Sequence, residues 1–150
     1  MLVVCAACGG TPPARSPAGS AAPAAAPGAL EGTATHGDHN PHHGGVVLMK
    51  GNDLHYEVVL DATGRAHHIY FSDALREELP ASIASVVVLT IKGREEERIA
   101  MQIDDTGESW VGSGRAVDAP ASTTARIAFV VAREPYWIDI PFSQAAAPGR

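Results

Sequence analysis

From Gly44 onward, apolar residues recur at every second position. Leu54, Tyr56, Val58 and Leu60 alternate with His55, Glu57 and Val59, the period of a strand with one face in a core. Asp61-Ala62-Thr63-Gly64 supplies turn chemistry, after which Ile69 and Phe71 alternate with His68, Tyr70 and Ser72. Together these two runs read as a hairpin. Asp73 to Ser82 reads as a loop or short helical turn ending at Pro80. Val86 to Ile91 is β-branched and almost wholly apolar, as expected of an inner strand. Gly93 and the charged run Arg94 to Arg98 predict a solvated hairpin tip. Ile99, Met101 and Ile103 alternate again, and Asp104-Asp105-Thr106-Gly107 turns the chain into Glu108 to Val111. Ala125 to Val131 and Tyr136 to Phe142 supply two more strands, the last flanked by Pro135 and Pro141, which suits an edge. With Val46 to Met49 added, the pattern predicts seven to eight short strands and no long helix. The expectation is an all-β, antiparallel immunoglobulin-like β-sandwich over residues 44–143, with a small barrel as the alternative. Residues 144–150 read as a disordered tail.

The chain ahead of this body has another character. Thr11 to Thr35 is Ala, Pro, Gly and Ser almost throughout, with five prolines that break any helix. Residues 11–43 therefore read as an Ala/Pro-rich and then His-rich linker, a semi-extended tether. Residues 1–10, MLVVCAACGG, carry a Cys5-Ala-Ala-Cys8 spacing. A redox reading would need a following helix N-terminus to stabilise the thiolate, and Gly9-Gly10-Thr11-Pro12-Pro13 cannot start one. The segment instead resembles the end of a bacterial lipoprotein signal. Cys8 is the lipid anchor on that reading, because small Ala7 precedes it where branched Val4 precedes Cys5. The apolar stretch is short and lacks a cationic region, so the segment reads as a truncated signal. Gly9 rather than Asp after the anchor points to the outer membrane, on its periplasmic side.

Composition narrows the function. Seventeen acidic residues against eleven basic ones give a formal net charge of −6, which argues against nucleic acid as a partner. No apolar run reaches the roughly 18 residues of a membrane-spanning helix, so membrane contact is expected only through the lipid anchor. No G-x-S-x-G elbow, glycine-rich phosphate loop or cysteine occurs in the body, and Asp104, Asp105 and Glu108 miss calcium-loop spacing, so a plain turn is expected there. The chain is read as a non-enzyme without an organic cofactor.

The histidines carry what chemistry there is. Seven occur, and His36, His39, His42 and His43 fall within eight residues. His67 and His68 follow the Gly64 turn. Clustered neutral imidazoles bind Cu(II), Zn(II) or Ni(II). If Gly51-Asn52 and Thr63-Gly64 are two-residue turns, His43 and His67 both stand opposite Leu60. His42, His43, His67 and His68 would then meet at one end of a three-stranded sheet, with His36 and His39 as a flexible capture arm. His55 is expected on the surface at the far end, and Met49 and Met101 in the core. The opposing reading is that the histidines are incidental to a structural or protein-interaction module of the envelope.

Asn40-Pro41-His42-His43-Gly44-Gly45-Val46-Val47, with Leu54 to Leu60, Gly64 and Ile69 to Asp73, resembles the small "PHGG"-type periplasmic β-domains found with bacterial heavy-metal efflux and copper-handling proteins. The proline here sits one place earlier. The likeness covers about 30 residues and implies metal homeostasis or efflux, with an efflux or envelope protein as partner, but no ligand set.

Overall fold

The computed structural model describes residues 38–146. The proposed anchor Cys8, most of the tether and His36 lie outside the described residues. The fold is all-β and antiparallel, in two sheets. Ten strands follow one another: β1 (Val46–Lys50), β2 (Leu54–Val59), β3 (His67–Asp73), β4 (Glu78–Leu79), β5 (Ala84–Lys92), β6 (Glu96–Ala100), β7 (Gln102–Ile103), β8 (Ser109–Gly112), β9 (Thr124–Val131) and β10 (Glu134–Pro141). One sheet runs β1-β2-β3-β8-β7, with β4 also paired to β3; the other runs β10-β9-β5-β6. Two of the ten are two-residue strands, too brief to leave a period in the sequence.

The alternating residues do what their period requires. Tyr56, Val58, Ile69 and Phe71 from the first sheet, and Val87, Leu89, Ile127 and Phe129 from the second, form the buried core. Phe129 joins the layers, its ring edge-on to Tyr56 at 5.1 Å and to Phe71 at 5.3 Å, a favoured aromatic geometry. Trp110 on β8 is buried with its indole N–H donating to the Ala81 carbonyl at 2.7 Å, which pins the 3-10 turn Ala81–Ile83. Trp110→Phe removes that bond and part of the packing, so a loss of about 1–3 kcal/mol is expected by urea denaturation.

β10 is an edge strand, as its flanking prolines predict. β5 is central in its sheet but covered on one face only: Val86 is 53% exposed. Its unbroken apolar run therefore does not report burial on both sides. Residues 144–146 also depart from the expected tail. The short helix α1 (Phe142–Ala145) buries Phe142 and Ala145, and the Leu60 N–H donates to the Ala145 carbonyl at 2.7 Å. The apolar side chains dock, so the chain stays in the body.

The register of the first hairpin corrects the expectation. Lys50 pairs with Leu54 and Val46 with Val58, leaving three loop residues, Gly51 to Asp53, instead of two. The second hairpin keeps the expected register, with Val59 opposite His68. The one-residue slip exchanges the faces of β1. Val46 and Leu48 pack on the core, whereas Met49 stands opposite His55 on the other face. Met101 is in the core, as expected.

Candidate functional site

A strand covered on one face should alternate buried and exposed, yet Leu54 to Val58 on β2 are buried without a break. The cause is residues 38–45, which cross the outer face of the first sheet as a strap. Two side chains hold it. The Glu57 carboxylate, 2% exposed, accepts the backbone N–H groups of His42 (2.8 Å), His43 (2.8 Å) and Gly45 (3.0 Å). This is an anion nest formed by successive amides. The Arg76 guanidinium, also buried, donates to the Asn40 carbonyl at 3.0 Å and to Ser72 Oγ at 2.9 Å.

The nest accounts for the paired glycines. Gly44 has φ +83°, a conformation that side chains disfavour. A Cβ on Gly45 would collide with the Val58 carbonyl oxygen. Glu57 and Arg76 escaped the sequence reading. The available signal was a carboxylate in the middle of an otherwise core-forming strand, opposite a glycine-rich turn.

The structure does not bring His42, His43, His67 and His68 together. His67 and His68 are consecutive on β3 and so face opposite ways. His67 points inward and is 0% exposed. Its Nδ1 accepts the Asp61 backbone N–H at 3.2 Å, and its ring stands perpendicular to Phe142 at 6.3 Å. With Nδ1 as acceptor the proton sits on Nε2, which has no partner among the described residues. Burial pushes this imidazole below its ordinary pKa, against a smaller opposing pull from Asp61 and Glu97 and with a small push from His68. His68 lies on the outer face, with Nδ1 3.1 Å from Ser109 Oγ and its ring parallel to Tyr70 at 5.8 Å.

His43 stacks on the other imidazole's neighbour, Tyr70, at 3.6 Å and 5°. Its Nε2 is 3.2 Å from Glu78 Oε1. His42 is exposed, its ring 6.4 Å from that of His43. His55, expected on the surface, is wholly buried beneath the strap. Its Nδ1 is 2.8 Å from the Asp73 carbonyl oxygen and its ring 5.3 Å from His39. Four imidazoles, those of His43, His55, His67 and His68, thus have a polar partner, and only part of the cluster faces water. Among the described residues, no three His, Cys, Asp or Glu side chains already stand together around a common point.

The other carboxylate candidates resolve as turn chemistry. Asp104 accepts from Thr106 N–H and Oγ–H, from Glu108 N–H and from Ser109 Oγ–H, and these donors hold it far below the usual carboxylate range. That is the plain turn expected. The hairpin tip engages Arg115 through Glu95 and Glu97.

Compared with protein-family models, curated proteins and solved structures, the chain matches none.

Proposed function

We propose that this chain is an exported accessory protein of transition-metal homeostasis or efflux, anchored by lipid at Cys8 on the periplasmic side of the envelope, which binds a metal ion and turns over no substrate. The observation that carries the metal reading is the strap. A buried carboxylate grips its backbone through three N–H groups, so neither imidazole is needed to hold the strap; the His42 ring is exposed and the half-buried His43 ring turns its Nε2 to Glu78. His67 sits in the core and is not a ligand on this reading. Imidazole is the commonest biological metal ligand, and a rigid backbone lowers the entropy lost on coordination.

The test is titration of the full chain with Zn(II) and, separately, Cu(II) by calorimetry. One-to-one binding should be lost in a His39→Ala/His42→Ala/His43→Ala variant and retained in His68→Ala. Ligand imidazoles must be deprotonated, so binding should fade below pH ~6. Binding unaffected by the triple substitution would exclude the strap.

A second reading, a non-catalytic envelope module that docks another protein, draws on the open face of the second sheet. Trp137 is 59% and Val86 53% exposed there, and the Arg126 guanidinium lies 4.2 Å above the indole. Exposed Trp and Arg are enriched among residues that dominate protein interfaces.

A further inference from the structure

We infer that the metal ion is held at one particular place, a small cleft beside the strap, by His43, Glu78 and His42, and that the ion is Zn(II) or Cu(II) rather than Cu(I). This inference rests on the metal-binding reading above and gives it a ligand set.

Two of the three ligands already stand at coordinating separation. Ligand atoms about 2.0–2.2 Å from one ion and roughly at right angles or tetrahedral to each other are themselves about 3.0–3.5 Å apart. His43 Nε2 and Glu78 Oε1 are 3.2 Å apart, so an ion can bridge them with little movement of either residue. His43 is held by its stack on Tyr70 and by its backbone bond to Glu57. Glu78 is held by pairing of β4 with β3, opposite Ser72.

The third ligand lies beside them, its ring 6.4 Å from that of His43. His42 lines the same small cleft, ≈ 10 Å³ in volume, about the space that one water needs. Its side chain is exposed, while its backbone is fixed to Glu57. A side-chain rotation, not a backbone change, is what completes the set. That accounts for the lack of a preassembled three-ligand group among the described residues.

The charge around the cleft suits a cation. Glu57 and Arg76 both line it and offset each other, and Glu78 leaves it net negative. The donors are two imidazole nitrogens and a carboxylate oxygen, a set that suits Zn(II) and Cu(II); Cu(I) prefers thiolate and thioether. Among the described residues thioether sulfur is not at hand: Met101 is buried in the core, and Met49 lies opposite His55, outside the cleft lining.

The experiment uses Zn(II) and Cu(II) salts with the full chain and three variants, His42→Ala, His43→Phe and Glu78→Gln. Phenylalanine keeps a ring to stack on Tyr70 while removing the nitrogens, and Glu78 is solvent-facing, so both variants should fold; thermal unfolding checks this. Each variant should weaken Zn(II) at least tenfold, and the Cu(II) electron paramagnetic resonance spectrum should lose one of two nitrogen couplings in His43→Phe and in His42→Ala but keep both in Glu78→Gln. Should Glu78→Gln and His43→Phe bind as the parent does, while the triple strap substitution abolishes binding, the cleft is wrong and the wider metal reading stands. Absence of any binding to the parent chain removes both.

Discussion

Glu57→Ala is expected to release the strap. Three backbone N–H groups lose a charged acceptor at once, and hydrogen bonds to charged groups each contribute about 1.5–3 kcal/mol. The strap can swing into water and recover part of this, so a loss of about 2–4 kcal/mol is expected. The loss should be local first. Amide hydrogen exchange at His42, His43 and Gly45 should rise far more than at Phe129 in the core. Gly45→Ala should reproduce the effect from the backbone side, because the added Cβ meets the Val58 carbonyl. Glu57→Gln separates charge from shape. Its amide has one acceptor oxygen and presents an NH₂ where the carboxylate presented a second, so it should restore only part of the protection. If strap amides in Glu57→Ala exchange as slowly as in the parent chain, the nest is not what holds them. Zn(II) binding should weaken together with strap protection, since the nest fixes His42 and His43.

Lowering the pH from 7.5 to 5 should destabilise the fold through His67. Its folded pKa lies below the ordinary value because burial disfavours the imidazolium. The unfolded chain therefore binds a proton first. The stability that the neutral ring contributes is fully present above pH ~6.5 and is lost as pH falls below it toward the folded pKa, with a slope of at most about 1.4 kcal/mol per pH unit for one proton. Geometry makes the loss local to one end of the sandwich. A proton on Nδ1 would face the Asp61 N–H that now donates to it, and charge would appear beside Phe142, where α1 docks. Denaturation series at several pH values should show the slope in the parent chain and its absence in His67→Gln. Equal slopes in the two proteins would exonerate His67. If His67→Gln fails to fold, the imidazole carbon-proton signals of the parent chain decide the matter: a midpoint near 6.5 would contradict the burial effect. Carboxylates held low by their partners, Asp61, Asp104 and Asp139, act in a lower window. Their contribution is present above about pH 4 and disappears as pH falls through their folded values, so they leave the interval from 7.5 to 5 to other groups.

Most strands were legible because each carries a period of two over four or more residues. The second hairpin was legible to the residue, since Asp61-Ala-Thr-Gly64 closes a turn with a local hydrogen bond from the Gly64 N–H to the Asp61 carbonyl at 2.9 Å. The first hairpin was not, because Gly51-Asn52-Asp53 accommodates two or three loop residues with equal chemical ease. That single residue decides which side of β1 meets the core. The proposed convergence of four histidines also conflicted with strand alternation itself, as His67 and His68 are neighbours on one strand and must diverge. The opposite burial of His55 came from the strap, a long-range contact that no local pattern encodes.

Local chemistry alone settled that this chain makes an antiparallel all-β body. Side-chain alternation, β-branching and turn residues act over a few bonds and need no distant partner. Only the tertiary structure decided what the histidine-rich segment does. Its backbone is gripped by a carboxylate 12 to 15 residues away and by a guanidinium 36 residues away. Such pairings form only after the sheet exists, because β2 must first place Glu57, and the turn between β3 and β4 must place Arg76, beside the strap. The same step assigned His67 to the core and His43 to Glu78, two fates that identical side chains could not announce in the sequence.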